Sequence, residues 1–127
     1  MNKVIIGLGS NIDPKENIEQ ARTHLKQNFT ILAESTFIQT KPLGYINQDD
    51  FINGSIYLET ELNQEEVRKQ LKTIENELGR KRTEIKFGPR SIDLDIVIWN
   101  EDIVDNDFYD RDFLKNAVLE LIPNLKY

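Results

Sequence analysis

The chain has 127 residues, of which 39% are hydrophobic and 30% charged, and its formal net charge is −6. That length suits one compact domain with one real core, and the acidic balance argues against a general nucleic-acid binder. With no cysteine present, disulfides, thiolate metal sites and a cysteine nucleophile are excluded.

The first apolar run, Val4-Ile5-Ile6-Gly7-Leu8, reads as a central strand covered on both sides. It is far too short for a signal peptide or a membrane span, so a cytoplasmic location without membrane association is expected. Gly9-Ser10-Asn11 ends the strand. A helix follows, with Asp13 as its cap, Pro14 at the first helical position and Glu16 at a capping-box-like spacing. Ile18, Ala21 and Leu25 form its buried stripe. The only histidine, His24, sits beside Leu25 at a surface or boundary position and receives no catalytic role. Residues 29–39 read as a second strand. Residues 40–50 form a long loop containing Pro42, Gly44 and Tyr45, and long loops in small domains tend to carry function.

Residues 51–60 give a clearer strand, with Ile52, Ile56 and Leu58 on one face and Phe51, Asn53, Ser55 and Tyr57 on the other. A face of aromatics and amides suits a flat polar ring, or else a solvated sheet surface. Asn63 caps a second helix with Glu66 three residues on, and Val67, Leu71, Ile74 and Leu78 form its stripe before Gly79 ends it.

Then comes a basic stretch, Arg80, Lys81, Arg82, Lys86 and Arg90 against Glu84, joined by Gly88-Pro89 to an apolar strand from Asp93 to Trp99. Strand alternation turns Leu94, Ile96 and Ile98 one way and Asp93 and Asp95 the other, the two acids about 6–7 Å apart. Such a pair resists burial unless a cation sits between the carboxylates, and hard oxygen ligands suit Mg²⁺ completed by water and substrate phosphates. A bare D-x-D at a strand end and a solvated basic loop are the plainer readings of each piece alone. Together they fit phosphoryl or pyrophosphoryl transfer from a nucleotide. Acids dominate residues 101–112, and a short helix over about 111–121 closes the chain before Pro123. The order β-α-β-β-α-β predicts a single α+β domain over residues 1–127, the ferredoxin-like split βαβ with a small C-terminal addition.

Five blocks, in order, carry a resemblance: Gly9-Ser10-Asn11, Thr40-Lys41-Pro42-Leu43-Gly44, Phe51-Ile52-Asn53, Gly79-Arg80-Lys81-Arg82, and Phe87-Gly88-Pro89-Arg90-Ser91-Ile92-Asp93-Leu94-Asp95. The chain resembles the 6-hydroxymethyl-7,8-dihydropterin pyrophosphokinases of folate biosynthesis over nearly its full length. The resemblance implies transfer of the β,γ-pyrophosphoryl group of ATP to the pterin hydroxymethyl oxygen, with release of AMP. Asp93 and Asp95 match the pair that holds two Mg²⁺ against the ATP phosphates. Arg80 and Arg90 match arginines on the polyphosphate, with Arg82 similar in role. Asn53 matches the amide that reads the pterin edge, Phe51 and Phe113 match the stacking aromatics, and Thr40 and Leu43 match loop positions against the pterin. Glu75 matches a helical acid on the nucleotide side, with an ordinary solvated helix residue as the plainer reading, and Arg111 matches a further nucleotide-contacting arginine. The resemblance also suggests a monomer.

The chain departs from that pattern in three places. Phe87 stands where the family usually has Trp, and Lys41 where it usually has Pro. The family's His-containing segment upstream of Arg111 is replaced by a shorter stretch, Val104-Asp105-Asn106-Asp107-Phe108. Acids there oppose a triphosphate unless they point to solvent or are screened by metal. A same-fold paralogue that binds pterin or nucleotide with weak or altered catalysis is the alternative reading.

Overall fold

The structure, a computed structural model, describes residues 1–79 and 91–127. Its elements run β1 (Asn2–Ser10), α1 (Pro14–Asn28), β2 (Thr30–Glu34), β3 (Ile38–Thr40), β4 (Phe51–Thr60), α2 (Gln64–Glu77), β5 (Asp93–Trp99), β6 (Asp102–Ile103), α3 (Asp107–Asp110) and α4 (Asp112–Leu121). Among the described residues all the strand pairings are antiparallel, in the order β2-β4-β1-β5-β6, with β3 also on β4. The chain is thus α+β with an antiparallel sheet. Among the described residues no helix is long and apolar enough to cross a membrane.

β1 is the central strand, and its apolar run explains why. Val4, Ile5 and Ile6 are all fully buried, which requires cover on both faces. On one face α1 and α2 lay Ile18, Ala21, Leu25, Val67, Leu71 and Ile74 against Val4, Ile6, Leu8, Ile56, Leu58 and Leu94. On the other, Ile5, Val97 and Ile98 meet Phe108 and Val118 in a second core. The C-terminal helices therefore form a third layer on part of the sheet.

Three local expectations change. Asp13 does not cap α1 through its side chain, because its backbone sits in the left-handed region at φ 42°. Its carbonyl accepts the Asn17 N–H at 2.9 Å instead. The strand read over 29–39 breaks in two. Ser35 donates its N–H to the Ser55 carbonyl at 2.9 Å, while its hydroxyl accepts the Ser55 N–H at 2.8 Å. Thr36 then turns its N–H and hydroxyl to the Glu120 carboxylate of α4. Phe37 folds onto β4 where Gly54 has no side chain, since a β-carbon there would meet the ring at 2.5 Å. Finally, Ile98 does not share a face with Leu94 and Ile96. The β1–β5 register shifts between Ile5 and Ile6, which leaves Val97 extra and turns Ile98 to the second core beside Ile5. Asp93 and Asp95 lie before that bulge and keep their common face. By contrast, the Asn63–Glu66 capping box of α2 forms in full.

Candidate active site

The site is built on the stretch of β1 that carries almost no side chains. Gly7 pairs with Ser55 of β4 on one side and with Asp95 of β5 on the other; Gly9 likewise pairs with Asn53 and with Asp93. Alternate residues face the same way, so Gly7 and Gly9 form a bare strip between an amide and two carboxylates. Neighbouring strands lie about 4.8 Å apart, which separates the amide strand from the carboxylate strand by roughly 10 Å.

Over this strip lies a cavity of about 150 Å³. From β4 it is lined by Phe51 and Asn53, and from the loop after β3 by Thr40, Lys41 and Leu43. β5 contributes Asp93, Asp95 and Val97, and α4 contributes Phe113, Leu114 and Ala117. The segment between β6 and α4 adds Asp105, Asp107 and Arg111. The Asn53 amide donates to the Thr40 hydroxyl at 2.5 Å, which orients its oxygen toward Gly9. The loop over residues 40–50 is held at its far end by Asn11. That side chain, 3% exposed, donates to Gln48 Oε1 at 2.8 Å and to the Asp49 carbonyl at 3.0 Å.

The acidic stretch faces this cavity, with Asp105 and Asp107 on the wall. Asp105 Oδ1 accepts the Asp107 N–H at 2.9 Å, which fixes the start of α3. Burial raises the Asp105 pKa above its ordinary value, and the Asp107 charge adds to that, against the opposing Asp107 N–H and Arg111. Arg111 stands 3.7 Å from Asp107. Among the described residues the wall thus holds four aspartates against Arg111 and Lys41.

Of the residues singled out in the sequence, Thr40, Leu43, Phe51, Asn53, Asp93, Asp95, Arg111 and Phe113 come together in this one cavity. Arg80, Arg82 and Arg90 lie outside the described residues. Glu75 is not a solvated helix residue, and it is not among the described residues that line this cavity. It is 6% exposed, and its Oε2 accepts the Leu94 N–H at 2.8 Å. The glycine strip and the α4 side chains Leu114 and Ala117 were not foreseen. The alternation Gly7-x-Gly9 inside a strand was the available signal, because strand glycines mark close approach of a ligand or another chain segment.

Two carboxylates on one strand face fit a Mg²⁺ site of the open kind. Among the described residues no group of three or more acidic, histidine or cysteine side chains is arranged to enclose a metal. Mg²⁺ takes one or two carboxylates and completes its shell with water and substrate phosphates, which matches this donor set.

The family model described as 7,8-dihydro-6-hydroxymethylpterin-pyrophosphokinase matches residues 5–123. The 2-amino-4-hydroxy-6-hydroxymethyldihydropteridine pyrophosphokinase of Bacillus subtilis is 38% identical, over 98% of this chain and 81% of that protein. The proteins of the same name from Haemophilus influenzae and Aquifex aeolicus are each 34% identical, over 94% and 98% of this chain and 81% and 83% of their own length. The sheet, its face of acids and aromatics, and these matches define the class: a pyrophosphokinase, which is a transferase. Within that class the chain belongs to the 7,8-dihydro-6-hydroxymethylpterin-pyrophosphokinase family.

Proposed function

We propose that this protein transfers the pyrophosphoryl group of ATP to 6-hydroxymethyl-7,8-dihydropterin and releases AMP, a step of folate synthesis. The hydroxymethyl oxygen attacks the β-phosphorus. The bond from that phosphorus to the α,β-bridging oxygen breaks, the bridging oxygen leaves with AMP, and the hydroxyl proton is released. The observation that carries the reading is a single cavity in which an amide and two aromatic rings face two carboxylates across a bare glycine strip.

In this reading Phe51 and Phe113 stack on the pterin, and Asn53 reads its mixed donor and acceptor edge. Thr40 and Leu43 close the loop side. Asp93 and Asp95 would hold Mg²⁺, two ions on the family pattern, which when bound would neutralise developing charge on the transferring phosphates. Arg111 contacts the polyphosphate from the C-terminal segment, with Arg80, Arg82 and Arg90 assigned to the same anion on their sequence match. With β2 and β3 counted as one broken strand and the short β6 set aside, the order β-α-β-β-α-β and the antiparallel pairing among the described residues support a ferredoxin-like domain with C-terminal helices added. We read residues 1–127 as one such domain, acting as a cytoplasmic monomer on small molecules.

The test is AMP release by the purified protein with ATP and Mg²⁺, with and without the hydroxymethyl pterin. Pterin-dependent AMP release is expected. AMP release that ignores the pterin, or none at all with both substrates bound, would refute the assignment and favour the weakly catalytic paralogue.

A further inference from the structure

Among the described residues β5 has a strand neighbour on both sides only at its far end. β1 runs along it from Asp93 to Trp99, but β6 pairs only with Ile98 and Trp99. At Leu94 the outward edge meets α2 instead, and the Leu94 N–H donates to Glu75 Oε2 at 2.8 Å. Glu75 is 6% exposed and Leu94 is 4% exposed, so this bond is sealed from water. Leu94 stands between the two acids that line the cavity. Three residues before it, the Ser91 carbonyl accepts a hydrogen bond from the fully buried Ser10 hydroxyl. The peptide that carries the acid pair is therefore held by the β1 ladder, by Ser10 and by Glu75.

A side-chain acceptor here does what a further strand would otherwise do. It satisfies a backbone donor that would be costly to leave unpaired, and it fixes the plane of the Asp93–Leu94 peptide. Asp93 is joined directly to this peptide and Asp95 follows one residue on, so a tilt here shifts the strand segment that carries both.

We propose that Glu75 is a positioning residue for the acid pair: through the Leu94 N–H it sets the aim of Asp93 and Asp95, without touching either substrate. The inference rests on the pyrophosphokinase reading above. It departs from a nucleotide-lining role, because what matters is an acceptor oxygen at the reach of Glu, not a charge in the cavity.

Glu75→Gln keeps an acceptor at that reach without the charge, and Glu75→Asp keeps the charge but withdraws it by one methylene. Glu75→Ala removes both. The expected result is that Gln retains kcat within about threefold of the parent, while Asp and Ala lose about tenfold or more. In the same Asp and Ala proteins the Leu94 amide should exchange with solvent at least tenfold faster. Mn²⁺ binding in the presence of a non-hydrolysable ATP analogue should weaken, while the pterin dissociation constant stays within twofold. Should Ala fail to fold, the Gln and Asp pair decides alone. Asp as active as the parent, or Gln as damaged as Asp, would overturn the proposal, since charge would then matter more than reach. Equal loss of pterin and Mn²⁺ affinity would also overturn it, as a general structural role. If the parent itself released no AMP, the functional reading would fail first, and the amide-exchange and Mn²⁺ results would still judge the positioning.

Discussion

Gly9 is the reason Asn53 can lie across the sheet: a β-carbon on Gly9 would come within 2.6 Å of Asn53 Oδ1. The two residues are direct partners in the β1–β4 ladder, and the amide nitrogen is committed to Thr40 at 2.5 Å. The amide therefore has one orientation available, with its oxygen over a position that only hydrogen can occupy. Gly9→Ala should push the amide off that line. Losing an amide partner to a buried polar edge costs about 1–3 kcal/mol, so pterin affinity should fall by roughly tenfold or more. Affinity for an ATP analogue should hold. Asn53→Ala should give the same split, and the double variant should be no worse than the worse single one, because both act on one group. Calorimetry with each ligand checks this. Additive losses would mean that Gly9 serves the site in some other way.

The carboxylate pair should be needed for chemistry and not for the pterin. Asp93 and Asp95 stand on the opposite side of the glycine strip from Asn53, across roughly 10 Å of sheet. Asp93→Asn and Asp95→Asn should each cut turnover by about a thousandfold or more, since metal clamps supply much of the charge stabilisation in such displacements. The pterin dissociation constant should stay within threefold. Steady-state AMP release together with pterin calorimetry makes the comparison. Near-parent turnover in either variant would remove the metal assignment.

Most of the sheet was legible because its periodicity is simple. The run at Val4 to Ile6 announced a strand buried on both faces, and Asn63 with Glu66 announced the start of α2. Both signals depend only on neighbours in sequence. What escaped depends on neighbours in space. Phe37 can break the second strand only because Gly54 lies opposite it. Ile98 changes face because of a bulge that local alternation does not reveal. Glu75 looks like any helix acid until α2 packs beside β5 and the Leu94 N–H reaches it. In the site, the acids and aromatics were visible as residue types, whereas the glycine strip that joins them was not. Side chains carry the chemistry that a sequence displays, and here the floor of the cavity is made of glycines.

Two carboxylates give opposite pH signatures in stability. The Arg22 guanidinium contacts Glu34 at 2.6 and 2.9 Å, and that hydrogen bonding holds the Glu34 carboxyl below its ordinary range. Its contribution is present above the unfolded pKa and is lost as pH falls through the lowered folded pKa. The side chains are 30% and 24% exposed, so the pair is worth about 1 kcal/mol at most. Asp105, raised chiefly by burial, behaves in the reverse sense. Its favourable contribution is complete below the unfolded pKa and is lost as pH rises through the folded one. Glu34→Gln should therefore lower the melting temperature at neutral pH and not in acid, whereas Asp105→Asn should raise it at neutral pH and not in acid. Melting curves from pH 3 to pH 8 separate the two.

Asp105 and Asp107 should work against the nucleotide. Both line the cavity, and Asp107 sits 3.7 Å from Arg111, the cation we assign to the polyphosphate from this segment. Each acid within about 8 Å of a phosphate, the Debye length at physiological salt, opposes binding. Asp107 also competes with the phosphate for Arg111. Replacing both acids with Asn removes two charges and little volume. The double variant should bind an ATP analogue about three- to tenfold more tightly at low salt, with pterin affinity unchanged, and the gain should shrink as salt rises. The Asp107 share should vanish in an Arg111→Gln background, since no arginine is then left to release. Titration calorimetry at low and physiological ionic strength reads both effects. A dissociation constant that does not move at low salt would mean that the nucleotide phosphates do not reach this wall, and that Arg111 serves to anchor α3 and not to bind the substrate.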